Sequence, residues 1–256
     1  MLHSVLRSSL VLAALGVVLL LVFVKRTDEP AVACATANPA DSDYKMLVVG
    51  ESWAAGGKFF PELPAAVSAR LGGRGVHACS VGFSGRNSKL LYYELVEKFP
   101  KEELYRLFKG VAPDKVIFMT GVNDIIQHVG AWNYVDYTKK LVDYFVEVQD
   151  VEVISIPRVN EKYYTPTNVY SKLKRTILRC IHDGCDYRVN DVYRIALMRD
   201  HPDLPTIEYD NFIDRFEGHE ECYTLDGVHL TNECLHKYGT FIGKAMAIKS
   251  GALARN

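Results

Sequence analysis

A few residues, scattered along the chain, have the types and settings that acyl-transfer chemistry uses. Ser52 stands in Gly50-Glu51-Ser52-Trp53, just past a short apolar run. A serine presented at the end of a strand becomes a nucleophile when a base reaches it. Asp226 and His229 lie three apart across Gly227. In a tight loop, the carboxylate can accept from one ring nitrogen while the other nitrogen faces a serine hydroxyl. Asn123 stands in Gly121-Val122-Asn123-Asp124, also just past an apolar run. Its amide can donate into a cleft where an oxyanion develops. Taken singly, each has a plainer reading: a helix cap for Ser52, a turn for Asn123 and Asp124, a surface loop for Asp226 and His229. In the chain order Ser52, Gly85, Asn123, Asp226, His229, they fall at successive strand-to-helix junctions, and that coherence favours chemistry.

The elements that would position them alternate. Apolar, β-branched runs at 46–49, 76–81, 115–120 and 151–156 end at Gly50, Gly82, Gly121 and Pro157, with a weaker one at 206–209. Helical stretches lie at 89–99, 101–109, 134–149, 170–182, 189–198 and 232–249. In 134–149, Val135, Leu141, Val142, Phe145 and Val146 recur at helical spacing. Continuous short apolar runs suit strands buried on both faces. The alternation predicts an α/β fold with a mostly parallel, five-stranded sheet. Sites in such sheets form at the carboxyl ends of the strands.

Four motifs resemble the blocks of the SGNH, or GDSL-like, hydrolase superfamily. GESW at 50–53 stands where the family usually has GDS and a small or apolar residue. GFSG at 82–85 matches the second block, GVND at 121–124 the third without alteration, and DGVH at 226–229 the last. The resemblance covers residues 45 to about 249. It implies a three-layer α/β/α, flavodoxin-like fold, with Ser52 as nucleophile, His229 as general base and acid, and Asp226 orienting His229. It also implies an oxyanion hole from the backbone N–H groups of Ser52 and Gly85 and the side chain of Asn123, with no metal or organic cofactor. Glu51 in place of the usual aspartate is the main departure.

Residues 8–24 form an uncharged run of 17 residues, mostly apolar, with Arg7 before it and Lys25-Arg26 after it. As a helix it would span about 26 Å, close to a bilayer core. Cleavage at Ala31-Val32-Ala33 is one reading, but the intervening charges make a poor approach to a cleavage site. An uncleaved signal anchor at 1–26 is therefore expected, a transmembrane helix followed by a small, polar linker at 27–44 and a catalytic domain at 45–256. Six cysteines behind such a segment fit an oxidising compartment. Their connectivity does not follow from the sequence. Cys180 and Cys185 bracket a plausible turn, and Cys222 and Cys234 flank the Asp226–His229 loop. A zinc site at Cys180, His182 and Cys185 lacks a second ligand pair.

The net charge is −1, with 30 basic and 31 acidic residues, and Arg7, Lys25 and Arg26 belong to the N-terminal segment. The remainder has no basic surplus to neutralise phosphates, which argues against nucleic acid as a partner. The expected function is an extracytoplasmic serine esterase or O-acyltransferase, acting on an O-acylated (by preference O-acetylated) glycan or lipid-linked sugar near a membrane. The alternatives are a lipase or lysophospholipase, and a catalytically silent SGNH domain that binds glycan. His128, His201 and His219 read as surface residues, and Arg158, after the fourth strand, as a contact for an anionic or sugar substrate. Trp53, Trp132, Tyr163 and Tyr164 read as core packing or a sugar-stacking face.

Overall fold

In the computed structural model the described residues are 29–39, 42–148, 150–159, 169–185 and 189–248. Six strands form one sheet: β1 (Ala31–Ala37), β2 (Ser42–Gly50), β3 (Gly75–Gly82), β4 (Lys115–Met119), β5 (Val151–Ile154) and β6 (Thr206–Ile207). Their order is β1-β3-β2-β4-β5-β6. All neighbours are parallel except β1, which runs antiparallel to β3. Met46, Leu47, Val48 and Val49 are fully buried. A strand covered on both faces needs no polar alternation, which is why this one reads as a continuous apolar run.

The sheet corrects two expectations. It has six strands rather than five, and the linker expected at 27–44 contains β1 and the start of β2. Ala31–Ala37 is built of small residues and carries no hydrophobic run. Its strand state comes from pairing with the edge of β3, where Cys34 stands opposite Cys79 and is bridged to it. No described helix is long and apolar enough to cross a membrane. The signal anchor expected at 1–26 lies outside the described residues.

Among the described residues eight α-helices complete the fold: α1 (Glu62–Arg70), α2 (Ser88–Tyr93), α3 (Lys101–Arg106), α4 (Val122–Gln127), α5 (Ala131–Tyr144), α6 (Val169–His182), α7 (Val189–Asp200) and α8 (Asn232–Ala245). Among them, α1 packs against α8, and α5 against both α2 and α7. The sequence reading did not single out α1. Pro64 sits in its first turn, where a missing N–H costs nothing because that donor has no helical partner.

Register is what assembles the site. Gly50, the last residue of β2, pairs with Gly82 of β3 on one side and Met119 of β4 on the other. The chain leaves all three strands at one level, so the segments carrying Ser52, Gly85 and Asn123 converge above β2. Because β3 and β4 flank β2 on opposite sides, this is the switch point at which open α/β sheets form clefts. Gly50 tolerates no side chain, since a Cβ there would stand 2.3 Å from the Met119 carbonyl oxygen.

Candidate active site

Ser52 follows β2 directly. Its turn is pinned from below by Trp53, which is buried edge-on against Tyr209 and Tyr238, with ring centroids 5.9 and 5.7 Å away. Trp53 is thus a core residue rather than a sugar platform. The Ser52 hydroxyl lies 2.8 Å from His229 Nε2, across 177 residues of sequence.

His229 and Asp226 sit in a closed loop. Tyr223 pairs with Leu230, the Thr224 N–H donates to the His229 carbonyl at 2.8 Å, and the Thr231 N–H donates to the Cys222 carbonyl at 2.8 Å. His229 Nδ1 is 2.7 Å from Asp226 Oδ2. The other oxygen, Oδ1, accepts from the Thr224 hydroxyl (2.7 Å) and the backbone N–H groups of Val228 (2.8 Å) and His229 (2.9 Å). Burial opposes ionisation of Asp226. The bonds from His229, Thr224 and Val228 outweigh it and hold the carboxyl well below the usual range. A permanent carboxylate at Nδ1 keeps the ring proton there and leaves Nε2 to accept from Ser52.

Cys222 and Cys234 are bridged, tying the start of this loop to the first turn of α8. Cys180 and Cys185 also pair, at the end of α6. Among the described residues no cysteine is free. The Cys222–Cys234 bond closes a segment of 12 residues. Replacing both by serine is expected to lower unfolding free energy by about 3 kcal/mol, chiefly by freeing the unfolded chain. Urea unfolding of the double variant checks this, and an unchanged midpoint would refute it. The hydrogen bonds of the loop remain in that variant, so its geometry should persist.

The third convergence is at Gly85 and Asn123. Gly85 has a φ of +72°, a region that favours glycine. Among the described residues no acceptor meets the backbone N–H of Ser52 or of Gly85. Asn123 Nδ2 donates to the Arg86 carbonyl at 3.1 Å, which fixes the amide and leaves its second hydrogen for the cleft.

No family model and no curated protein matches the sequence. Solved structures do match. The chain aligns with an α/β hydrolase enzyme from the metagenome of Lake Arreo, with TM-score 0.56 and 18% identity over 83% of this chain and 97% of that one. It aligns with a member of the lipolytic G-D-S-L family from Veillonella parvula, with TM-score 0.50 and 13% identity over 78% and 96%. A variant of an acetyl-xylooligosaccharide esterase from Geobacillus gives TM-score 0.51 and 14% identity over 84% and 98%. This chain has the SGNH hydrolase fold. At such identities the likeness is one of architecture, and function has to be argued from the site.

Within the SGNH fold, the residue that departs from the family's usual GDS block has a visible task. Glu51 is buried, and its backbone N–H donates to the Met119 carbonyl at 3.0 Å. Its Oε1 accepts from the Gly121 N–H (2.5 Å) and the Thr120 hydroxyl (3.2 Å), and its Oε2 from the Asn123 N–H (2.7 Å). The extra methylene lets one side chain join the ends of β2 and β4 and cap α4. Asp124 performs the matching task toward the start of α2, accepting from the Ser88 N–H (2.8 Å) and hydroxyl (2.6 Å). Burial pushes both carboxyls up, and for Glu51 the nearby Asp124 charge adds to the effect. Gln127 also supports the site, donating from Nε2 to the Gly85 carbonyl at 3.0 Å. Sequence reasoning missed Ser88 and Gln127 altogether and gave Glu51 and Asp124 no role. The only available signal was their place within or beside the motifs.

Other candidates belong elsewhere. Arg158 donates to Asp210 and Asp191 and is a structural cation. His128 is buried rather than on the surface, with Nδ1 2.8 Å from Asp183 Oδ2 and Nε2 accepting from Arg175 at 3.1 Å. The arginine can only donate, so the proton of a neutral His128 lies on Nδ1. Tyr163 and Tyr164 lie outside the described residues. Cys34, His77 and Cys79 form a cluster of metal-ligand types, but its two sulfurs are bonded to each other.

Proposed function

We propose that the protein is an extracytoplasmic serine ester hydrolase or O-acyltransferase that works through an acyl-enzyme on Ser52. The observation that carries this is the unbroken chain from Ser52 Oγ to His229 Nε2 (2.8 Å) and from His229 Nδ1 to Asp226 (2.7 Å). Ser52 Oγ attacks the ester carbonyl carbon as its proton passes to His229 Nε2. Asp226 stabilises the resulting imidazolium. The carbonyl oxygen takes the negative charge and is met by the N–H groups of Ser52 and Gly85 and the Asn123 amide. Collapse breaks the ester bond, and His229 returns the proton to the departing alcohol. Water, or an acceptor hydroxyl, then attacks the acyl carbon as its proton passes to His229; the bond to Ser52 Oγ breaks, and His229 returns that proton to Oγ, which frees the acid or the new ester. Every step uses groups of this chain, and none calls for a metal or organic cofactor.

The substrate class we favour is an O-acetylated glycan. An esterase acting on acetyl-xylooligosaccharides shares the fold. The three disulfides agree with an oxidising compartment, and the apolar run at 8–24 with a membrane anchor. Hydrolysis of a lipid ester is the second reading, favoured by Leu225, a fully exposed leucine beside Asp226. A silent glycan-binding domain is separated from both by turnover. The test is hydrolysis of p-nitrophenyl acetate and release of acetate from acetylated xylo-oligosaccharide by the oxidised protein. Absence of turnover together with absence of a fluorophosphonate adduct would reject the enzyme reading.

The oxyanion donor gives a graded prediction. Asn123→Ala should lower kcat by about 10²–10³ with little change in KM, because the amide acts on charge that exists only in the transition state. An unchanged kcat in the folded variant would remove Asn123 from the mechanism.

A further inference from the structure

Helix α6 is built the wrong way round for a domain of this kind. Amphipathic helices on globular proteins turn their apolar stripe toward the core. In α6 no side chain is buried, and Tyr170, Leu173, Ile177 and Ile181 are 75%, 58%, 48% and 68% exposed. Spacings of three and four place these four on one face. The inward side meets the domain through polar atoms and one groove. Arg175 donates to His128, and Ser171, Arg175 and Leu178 line a groove of about 470 Å³ against Ile126 and Val129. Between 169 and 182 the helix carries Lys172, Lys174, Arg175 and Arg179 and no acidic residue.

Other large apolar side chains are exposed at the same edge of the sheet. Trp132, 65% exposed, begins α5 beside Gly130, close to His182 at the end of α6. Leu225 projects from the loop of Asp226 and His229. The groove under α6 is shared with α4, which starts where β4 ends, at the level of Ser52.

Chain connection supplies the occupant. Because β1 runs antiparallel, its first residue, Ala31, pairs with Gly82 at the carboxyl end of β3. The preceding chain therefore joins the domain at the edge that carries Ser52. From Val24, the end of the apolar run, to Ala31 is seven residues, at most about 25 Å when extended. A bilayer entered by residues 8–24 would stand within that distance of Ala31, on the edge of the sheet at which the cleft opens.

The geometry points to α6 as an interfacial helix that lies on an anionic bilayer surface and turns the Ser52 cleft toward the membrane. The apolar stripe enters the acyl boundary while the exposed side chains of Lys172 and Lys174 meet anionic headgroups. This goes beyond the ester-hydrolase reading and does not require Ser52 to be a nucleophile.

The full chain, labelled with the polarity-sensitive dye NBD at Ile177→Cys, tests it in vesicles of phosphatidylcholine with and without phosphatidylserine. A second protein carries the label at Val146→Cys, an exposed position between α5 and the start of β5, on the opposite edge. With phosphatidylserine present, emission at 177 should move to shorter wavelength and be quenched by lipids brominated in their acyl chains, while emission at 146 stays unchanged. Lys172→Glu with Lys174→Glu should abolish the shift, and circular dichroism would establish that the helix content is kept. No shift at 177 with either vesicle overturns the inference, as does an equal shift with both. A shift without vesicles that grows with protein concentration also overturns it and assigns the face to a second copy. Ester hydrolysis, assayed in parallel, tests the other reading separately.

Discussion

Ser52→Ala is expected to abolish fluorophosphonate labelling and to lower kcat for ester hydrolysis by about 10⁴–10⁶. The size of the loss follows from the arrangement. Removing Oγ leaves His229 and Asp226 with nothing to activate but water, held in no defined position. His229→Ala should cost a similar factor, since an unassisted serine hydroxyl is a weak nucleophile at neutral pH. The two changes act on one step, so the double variant should be little worse than either alone. Additive losses would show that the 2.8 Å contact between Ser52 and His229 is not a working pair. Labelling that persists in Ser52→Ala would identify another nucleophile and reject the assignment.

The second large effect is expected at Glu51. Glu51→Ala strands the N–H groups of Gly121 and Asn123 and the Thr120 hydroxyl below the cleft. Each buried donor left without a partner costs about 1–3 kcal/mol, so the variant should lose about 3 kcal/mol or more. It should also lose about 10²-fold in kcat as Asn123 drifts from its place. Glu51→Gln is the informative companion. It keeps one carbonyl oxygen for two of the contacts but turns an NH₂ toward a donor, so its loss should be intermediate. The same pair separates on pH. Burial, and behind it the Asp124 charge, pushes Glu51 up from 4.5 to about 8 in the folded protein. Between these values the folded state holds a proton that the unfolded chain has released, so this contribution to stability is complete below 4.5 and is lost as pH rises through 8. Glu51→Gln has no proton to hold. The difference in unfolding free energy between wild type and Glu51→Gln should therefore shrink from pH 4.5 to 8, and a difference that stays constant would show that Glu51 is ionised when folded.

Much of this site was legible because its signals are local. Met46–Val49 announces a strand buried on both faces, and Asp226 and His229 lie close enough in sequence to share one loop. Motifs as compact as GVND and DGVH carry their own geometry. What could not be read depends on partners far away. Glu51 looked like a mild disturbance of a motif because its acceptor role is set by Gly121, 70 residues on. His128 looked superficial because Asp183 and Arg175, which enclose it, arrive from another helix. β1 reads as linker in the sequence because a strand of small residues at a sheet edge is defined by its neighbour and not by its own composition. α1 could not be read because the element it packs against, α8, lies at the far end of the chain.

The bridge between β1 and β3 has a mechanical side. Tension arriving through the chain before residue 31 acts on the free end of an edge strand, the geometry in which backbone pairs open one at a time rather than together. Only the pairs Ala31–Gly82, Val32–Val81 and Ala33–Ser80 stand ahead of Cys34 and Cys79. Peeling stops at that covalent rung, and any further pull is carried into β3, whose other side is held by β2. A domain leashed at this end can be tugged without its sheet coming unzipped toward Val76, and a reducing agent would remove that stop.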